Sequence, residues 1–345
     1  HSGFPDAAEA QSGGWWIAGR YGMHCGSATM EPIPHLDREH LPDYRSPVLA
    51  LYSSVMGGIV TDSSLMMIPV DDHLVHRGDG VFETLKAVNG GLYNLAGHLA
   101  RLRRSAAFIS LAPVPEDREL THVIRQTVRA SGRRDAQVRV LFSRGPGSMG
   151  ISPYDCPNPG LYVAVCELPP PFMDRHPEGA TALPSTVPVK PGGMARSKIC
   201  NYLPNMLMKK EAVDQGVHFV FSFDEHGDLA ESATENVGIV DPDGWLRVPT
   251  TTSILEGTTM NRVLGFAEAL VAEGVLAGVT RNRISSSELS DAREILIFGT
   301  TTDVTAVVAF SRRPVGDGRP GPVYKQLSER LLDDIRSNHD LRTPV

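Results

Sequence analysis

Cysteine is scarce: the 345-residue chain has four, and no two of them form a Cys-x-x-Cys pair. The sequence therefore indicates neither a disulfide framework nor a zinc site, and this usage is typical of a reducing compartment. Basic residues are also fewer than acidic ones, with 33 Lys+Arg against 40 Asp+Glu. Neutralising nucleic-acid phosphates needs the opposite balance, so we expect no nucleic-acid partner.

Long apolar runs are absent too. No stretch reaches the roughly 18 apolar residues that a membrane-spanning helix needs, so no membrane partner is expected. The first residues, His1-Ser2-Gly3-Phe4, lack the basic and apolar regions of a secretory signal. We therefore expect a cytoplasmic protein that holds no metal.

Glycine (33) and proline (26) are plentiful, while 41% apolar and 21% charged residues make an ordinary globular composition. The length predicts two domains. Residues 1–48 show little periodicity and are predicted to be an extension, partly disordered or draped on the main body. A smaller domain is predicted over 49–168, a proline-rich linker over 169–180 and a larger domain over 181–345.

Apolar spacing predicts strands and helices in both domains, which gives an α/β fold class. In the first domain, strands are predicted at 65–68, 81–88, 138–142 and 161–165, and helices from residue 97 and over 115–130. Asn89-Gly90-Gly91 predicts a tight hairpin turn, because an Asn-Gly pair accepts positive φ values. In the second domain, strands are predicted at 181–189, 218–223, 236–240 and 294–298, and helices at 203–215, 258–272 and 324–336.

Two positions carry groups suited to covalent catalysis. Lys198 stands at a predicted strand-to-helix junction, and a lysine amine forms a Schiff base when burial or nearby cations lower its pKa. The alternative is a solvated lysine at a helix start. Glu231 and Glu235 lie between two predicted strands, where a carboxylate could hold a heterocycle nitrogen protonated. Their alternative is a hydrated turn.

Other residues are suited to binding an anion. Thr258 and Thr259 follow Gly257 at a predicted helix start, which forms either an anion site or a simple cap. Arg101 and Arg144 are each more often surface residues, but a guanidinium can also bind an anion. A lysine, a carboxylate, an anion cup and a guanidinium are together what pyridoxal phosphate requires.

From about Ser53 to Lys325 the chain resembles the fold-type IV pyridoxal-phosphate enzymes, which include branched-chain aminotransferases, D-amino-acid aminotransferases and aminodeoxychorismate lyases. The matching segments stand in the family's order at residues 76–84 (HRGDGVFET), 98–102 (HLARL), 198–203 (KICNYL), 231–236 (ESATEN) and 299–305 (GTTTDVT). The resemblance implies a smaller N-terminal α/β domain, a larger barrel-like C-terminal α/β domain, pyridoxal 5'-phosphate in the cleft between them, and a homodimer.

By position, the resemblance implies that Lys198 is the Schiff-base lysine and Glu231 the partner of the pyridine nitrogen, with Glu235 as a less favoured neighbour. The further cofactor contacts that it implies are Arg101, Tyr202, Thr258, Thr259 and Thr300. The substrate contacts that it implies are Phe82, Arg144 and the backbone of Thr301.

The resemblance implies transfer of an amino group between an amino acid, of D-amino-acid or branched-chain type, and a 2-oxo acid. Residues 68–73 and 151–162 look most like plant-type D-amino-acid transaminases. One alternative is an aminodeoxychorismate lyase, which eliminates pyruvate and leaves 4-aminobenzoate. A cofactor-binding protein without turnover is disfavoured, because Lys198 and Glu231 are both present.

Overall fold

The computed structural model describes residues 47–345. The first 46 residues, including most of the predicted extension, lie outside that range. The described chain contains two sheets, and its strands in chain order are β1 (Val48–Ser53), β2 (Gly58–Val60), β3 (Gly80–Val88), β4 (Gly91–Tyr93), β5 (Ala136–Ser143), β6 (Gly160–Glu167), β7 (Ala180–Pro184), β8 (Phe219–Phe221), β9 (Asn236–Val240), β10 (Trp245–Val248), β11 (Gly278–Arg281), β12 (Glu294–Gly299), β13 (Asp303–Phe310), β14 (Arg313–Pro314) and β15 (Arg342–Pro344).

Eight α-helices accompany these strands within residues 47–345. They are α1 (His73–Arg77), α2 (Leu95–Phe108), α3 (Asp117–Ala130), α4 (Phe172–Arg175), α5 (Leu203–Asp214), α6 (Thr258–Ala272), α7 (Ser286–Ser290) and α8 (Pro322–Ser337). No helix in this part of the chain is both long and apolar enough to cross a bilayer. The cytoplasmic location stays a prediction from the composition.

The first sheet has the order β15-β4-β3-β5-β6-β1-β2. All its pairs are antiparallel, and β5 pairs along its whole length with both β3 and β6. Apolar residues of α2 and α3, such as Leu99, Leu102 and Ile124, join the strand residues in one buried core. The core forms because each helix repeats its apolar residues every three or four positions and so presents one apolar face.

The second sheet has the order β11-β10-β9-β12-β13-β7-β8. It is mixed, since β10–β11, β13–β7 and β7–β8 are parallel pairs and β9, β10, β12 and β13 pair antiparallel. Helices α6 and α8 share a buried core with its strands through residues such as Val263, Leu264 and Leu331.

One segment of the second half pairs with the first sheet. Strand β4 covers only Ala87 and Val88 of β3, which leaves the edge at the start of β3 free for another partner. Ile199 pairs with Val81 there. The amide of Phe82 donates to the carbonyl of Lys198 at 3.0 Å. This pairing fixes Lys198 against β3.

The mixed α/β fold with two sheets is confirmed, as are the strongly periodic elements. The hairpin prediction is confirmed as well, because Asn89 (φ 51°) and Gly90 (φ 74°) both adopt positive φ. The prediction of a strand at residues 65–68 is wrong. A 3-10 helix covers Ser63–Leu65 instead, started by the Asp62 carboxylate, which accepts from the amide of Ser64. An apolar run of four residues was too short to outweigh that local turn.

Two boundaries differ from the predictions. The strand predicted over 181–189 already ends at Pro184, and helix α4 begins inside the predicted linker. The C-terminal strand β15 pairs with β4 of the first sheet, although the sequence assigned all of 181–345 to the second domain. Contacts group Pro47–Val345 into one unit. The division at residues 169–180 stays a prediction.

Our first prediction concerns the ion pair between Lys86 of β3 and Asp303 of β13, which joins the two sheets with both side chains buried. Lys86→Met leaves the Asp303 carboxylate buried without its cation. We expect the free energy of unfolding to fall by about 3–5 kcal/mol, measured by urea denaturation. Lys210→Met removes the exposed pair with Asp214 and is the matched control, for which little change is expected. Equal losses in both variants would contradict the prediction.

Candidate active site

An open cavity of about 340 Å³ lies between the start of α6, the end of β12 and the segment that pairs with β3. Seven of the residues singled out from the sequence line it, and they are Arg101, Lys198, Glu231, Glu235, Thr258, Thr259 and Thr300. They come from positions nearly 200 residues apart in the chain, so it is the fold that brings them together.

Lys198 is 7% exposed. Its amide donates to the Ser105 hydroxyl at 2.9 Å, while its carbonyl is bound by β3, so the backbone is held on both sides. Burial, followed by the Arg101 cation, lowers the pKa of the Lys198 amine to about 8. About a tenth of the amine is therefore neutral at pH 7, far more than in an ordinary lysine, and the neutral amine is the nucleophilic form.

Two aromatic rings flank this amine. Its nitrogen lies 4.5 Å from the ring centroid of Phe82 and 5.8 Å from that of Tyr202. The two rings meet edge to face at 4.9 Å. Burial, and then the Glu231 carboxylate, raise the pKa of the Tyr202 phenol, so the phenol keeps its proton and can donate it in a hydrogen bond.

Glu231 faces the cavity from the loop before β9. One carboxylate oxygen accepts from the amide of Leu255 at 3.1 Å. Burial raises the pKa of Glu231 to about 7, although that hydrogen bond and the cations of Lys190 and Lys198 oppose the shift. Glu235 also lines the cavity, but its carboxylate binds the amide and hydroxyl of neighbouring Thr234. Glu231 is thus the carboxyl group poised to share a proton with a basic ligand nitrogen.

One end of the cavity is built on the N-terminus of α6. Gly257 precedes that 15-residue helix in an extended conformation, and no described side chain caps the end. The first backbone amides of the helix are therefore left for a ligand, and they carry the positive end of the helix dipole. Space is tight here, because a Cβ on Gly257 would stand 1.9 Å from the Asn236 side-chain oxygen.

The turn between β12 and β13 closes the other wall. Gly299 pairs with Asp303 across it, and the three threonines 300–302 form the turn itself. Asp303 adopts a positive φ of 54°, while its carboxylate is held by Lys86. Thr300 lines the cavity, and Thr301 follows it at the tip of the turn.

Arg144 is not among the residues that line the cavity. Its guanidinium makes a bidentate pair with Asp79, with both N–O distances 3.0 Å. It also donates to the carbonyls of Ile109 and Ser110. The Arg144 guanidinium is thus bound by Asp79 and by two backbone carbonyls. Its role in binding substrate stays a prediction that this arrangement does not support.

A second, larger cavity of about 1290 Å³ adjoins the first. The two share Thr234 and Glu235, and Tyr202 forms part of the wall of the second. Apolar residues such as Phe172, Met208 and Phe219 make up much of its lining. Because the Tyr202 ring centroid lies 5.8 Å from the Lys198 amine, this cavity offers room near the amine for an extended side chain.

Sequence reasoning missed several polar residues around the cavity. Glu83, His98 and Ser105 are buried, and each contacts a cavity residue or its backbone. The ammonium of Lys190 lies 4.9 Å from the Tyr202 ring centroid. A signal for part of this set was available, because His98, Arg101 and Ser105 are spaced by three and four and so share one face of a helix.

Comparison with known proteins agrees with this geometry. Residues 80–310 match the sequence family Amino-transferase class IV. The chain is 38% identical to the chloroplastic D-amino-acid transaminase of Arabidopsis thaliana, over 84% of this chain and 77% of that protein. It is 29% identical to a putative branched-chain-amino-acid aminotransferase of Methanocaldococcus jannaschii, over 81% of this chain and 94% of that one.

Solved structures show the same fold. The T.th. branched-chain amino acid aminotransferase in complex with N-(5'-phosphopyridoxyl)-L-glutamate aligns with a TM-score of 0.77 and 27% identity, covering 86% of this chain and 98% of that one. The same enzyme with pyridoxamine 5'-phosphate aligns with a TM-score of 0.78. The chain belongs to the class IV aminotransferases. It is a transaminase by this membership, which favours amino transfer over the lyase alternative.

Our second prediction concerns the Lys198 amine. With its pKa lowered from 10.5 to about 8, the amine is deprotonated above pH 8 in the native chain, where an ordinary lysine remains charged. Trace acetylation of the cofactor-free protein across pH 6–11, read by mass spectrometry, should give a midpoint near 8 for Lys198. The urea-unfolded chain is the control and should give a midpoint near 10.5. The same high midpoint in the native chain would contradict the assignment.

Proposed function

We propose that this protein is a pyridoxal 5'-phosphate-dependent aminotransferase whose reaction centre is the cavity around Lys198. The observation that supports the proposal is that three suitable groups lie around one cavity. A buried amine with a lowered pKa and a carboxyl group with a raised pKa line one cavity, and the uncapped N-terminus of α6 forms its other end.

The residues present fit this cofactor in shape and chemistry. The amine of Lys198 suits the aldehyde, Glu231 suits the ring nitrogen, and the phenol of Tyr202 suits the ring hydroxyl. The amides and hydroxyls of Thr258 and Thr259, with Thr300 opposite, suit the phosphate. When bound, the cofactor would withdraw electrons from the α-carbon of an amino acid and so make its C–H bond acidic.

Glu231 is the residue that we assign to the ring nitrogen. In the protein alone, burial holds its pKa near 7. A basic nitrogen placed against it would share its proton, and the positive charge that results would hold the carboxylate ionised. The Leu255 amide keeps that carboxylate aimed at the cavity.

Lys198 is the residue that we assign to proton transfer at the substrate's α-carbon. A base is most effective when its pKa lies close to the working pH, and burial brings Lys198 to about 8. The Phe82 ring and the paired backbone on either side limit the positions that the amine can take.

The substrates that we propose are an amino acid, of D-amino-acid or branched-chain type, and a 2-oxo acid. Relatives of both kinds support this range. The backbone of Thr301 and the ring of Phe82 would contact the reacting end. The second cavity, which shares Thr234 and Glu235 with the first, would take the side chain.

Our third prediction tests this function directly. The purified protein is incubated with pyridoxal 5'-phosphate, with D-glutamate or L-leucine as donor, and with pyruvate or 2-oxoglutarate as acceptor. We expect a new amino acid to form by chromatography, and borohydride reduction to leave a stable adduct on Lys198 by peptide mass spectrometry. Loss of a positioned acid–base group costs about 10²- to 10⁴-fold in rate. Lys198→Ala should lose at least that much, and Glu231→Ala should lose turnover while keeping the adduct.

Lys210→Ala is the matched control, because it removes an exposed lysine outside both cavities and should leave the rate unchanged. Absence of amino transfer with every donor and acceptor would refute the proposed function. Release of pyruvate from aminodeoxychorismate without amino transfer would point to the lyase instead.

We further propose that the protein is a homodimer. Two loops of the first half carry exposed apolar residues, among them Val70, Ile151 (84% exposed) and Tyr154 (93% exposed). The two loops touch where the amide of Gly147 donates to the carbonyl of Asp71 at 3.1 Å. Exposed apolar residues grouped on adjoining loops, here called the apolar face, are typical of a protein interface.

Our fourth prediction tests the dimer by light scattering at micromolar concentration. The wild-type protein should show twice the monomer mass. Ile151→Asp should shift it toward the monomer, because the substitution places a charge in the apolar face. Val213→Asp changes an exposed apolar residue of α5 outside this face and should leave the mass unchanged. A wild-type monomer would overturn the proposal.

A further inference from the structure

Glu83 is the centre of a buried polar network behind the anion-binding end of the cavity. It is 0% exposed in β3. Its carboxylate accepts from Nε and Nη2 of Arg101 at 2.7 and 2.8 Å and contacts Nδ1 of His98 at 2.7 Å. Burial alone would raise the pKa of Glu83, but Arg101 and His98 outweigh it and bring the pKa to about 2. The group is therefore an ionised carboxylate and only an acceptor.

Both partners of Glu83 also reach the N-terminus of α6. Nη1 of Arg101 donates to the carbonyl of Glu256 at 3.3 Å. Nε2 of His98 lies 3.4 Å from the hydroxyl of Thr258, the first residue of that helix. Glu83 thus connects the first sheet to the helix end that we propose for the phosphate, with one link through each side chain.

The hydrogen bonds of His98 determine whether the Thr258 hydroxyl is available to an anion. Because Glu83 only accepts, Nδ1 of His98 must carry a hydrogen. Neutral His98 then accepts the Thr258 hydrogen at Nε2, which turns the hydroxyl away from an anion. Protonated His98 donates to that hydroxyl instead and leaves its hydrogen for the anion.

The charged groups around His98 determine whether its imidazole is neutral or protonated. Burial and the cations of Arg101 and Lys198 lower the pKa of His98, and the Glu83 carboxylate opposes them. An anion placed at Thr258 adds a second negative charge next to the imidazole and favours its protonated form. A buried ion pair such as Glu83–Arg101 seldom stabilises a fold more than apolar residues in its place would. We therefore infer that this pair serves to position Arg101 and Thr258.

We propose that Glu83 and His98 are positioning residues for the phosphate end of the cofactor, with His98 taking up a proton when the phosphate binds. This inference rests on the proposed function. Glu83 and His98 reach the cavity through Arg101 and Thr258, at its phosphate end. The inference therefore separates recognition of the phosphate from recognition of the ring.

The experiment compares two ligands that differ only in the phosphate. Cofactor-free wild-type, Glu83→Gln and His98→Asn proteins are titrated with pyridoxal 5'-phosphate and with pyridoxal, and each Kd is read from absorbance. Losing a hydrogen bond to a charged group weakens binding about 10- to 100-fold. We expect that loss for the phosphorylated ligand in both variants, with the Kd of pyridoxal within about twofold of wild type.

Proton uptake supplies the second readout. At pH 8, calorimetry in buffers of different ionisation enthalpy counts the protons taken up with each ligand. We expect the wild-type protein to take up more protons with pyridoxal 5'-phosphate than with pyridoxal, approaching one proton per site. His98→Asn should abolish the difference, because no imidazole remains to be charged. Equal uptake by the wild-type protein would overturn the role of His98 as the proton acceptor.

Arg103→Gln is the matched control. Arg103 lies on the same helix but pairs with Asp117 at 2.6 Å, away from the cavity, so the ratio of the two Kd values should not change. Glu83→Gln leaves Arg101 without its charge partner and can lose its fold. His98→Asn keeps the Glu83–Arg101 pair and then decides the question alone.

The outcomes are distinct. A phosphate-specific loss in His98→Asn, joined by Glu83→Gln where it folds, supports the inference. An unchanged ratio of Kd values in the folded variants overturns it, as does an equal loss for both ligands, which indicates a purely structural role. If the wild-type protein binds neither ligand, the proposed function fails and this inference fails with it.

Discussion

The pairing of residues 198–200 with the open edge of β3 is the constraint on which the rest of the site depends. It exists because β4 is short and covers only the end of β3. A strand register fixes which face each side chain takes, and a slip of one residue would turn the Lys198 amine away from the cavity. The other walls of the cavity, from the start of α6 and the turn between β12 and β13, are arranged around this amine.

Burial then sets the chemistry of the cavity by acting on opposite charges in opposite directions. It lowers the pKa of the Lys198 amine to about 8 and raises that of the Glu231 carboxyl to about 7. One physical cause thus brings a base and an acid close to neutral pH in the same small space. The formal net charge of −7 does not describe this environment, where Arg101 and the amides at the start of α6 supply local positive charge at one end of the cavity.

Membership in the class IV aminotransferases accounts for the motifs, while the contacts show how this chain supports them. The motif at residues 76–84 supplies three structural contacts, and the sequence alone indicated none of them. Asp79 holds Arg144, Val81 pairs with Ile199, and Glu83 holds Arg101 and His98. The segment therefore organises the site mainly through residues that never line the cavity.

The sequence by itself determined the mixed α/β content and seven of the residues that line the cavity, because helix periodicity and the family's motifs are local patterns. It identified Lys198, Glu231 and the start of α6 for that reason. Only the tertiary structure decided the pairing of 198–200 with β3, the return of β15 to the first sheet, and the capture of Arg144 by Asp79. Those depend on strand edges and charges that meet across 65 to 250 residues, and no local pattern records which distant partner a strand edge or a buried charge will find.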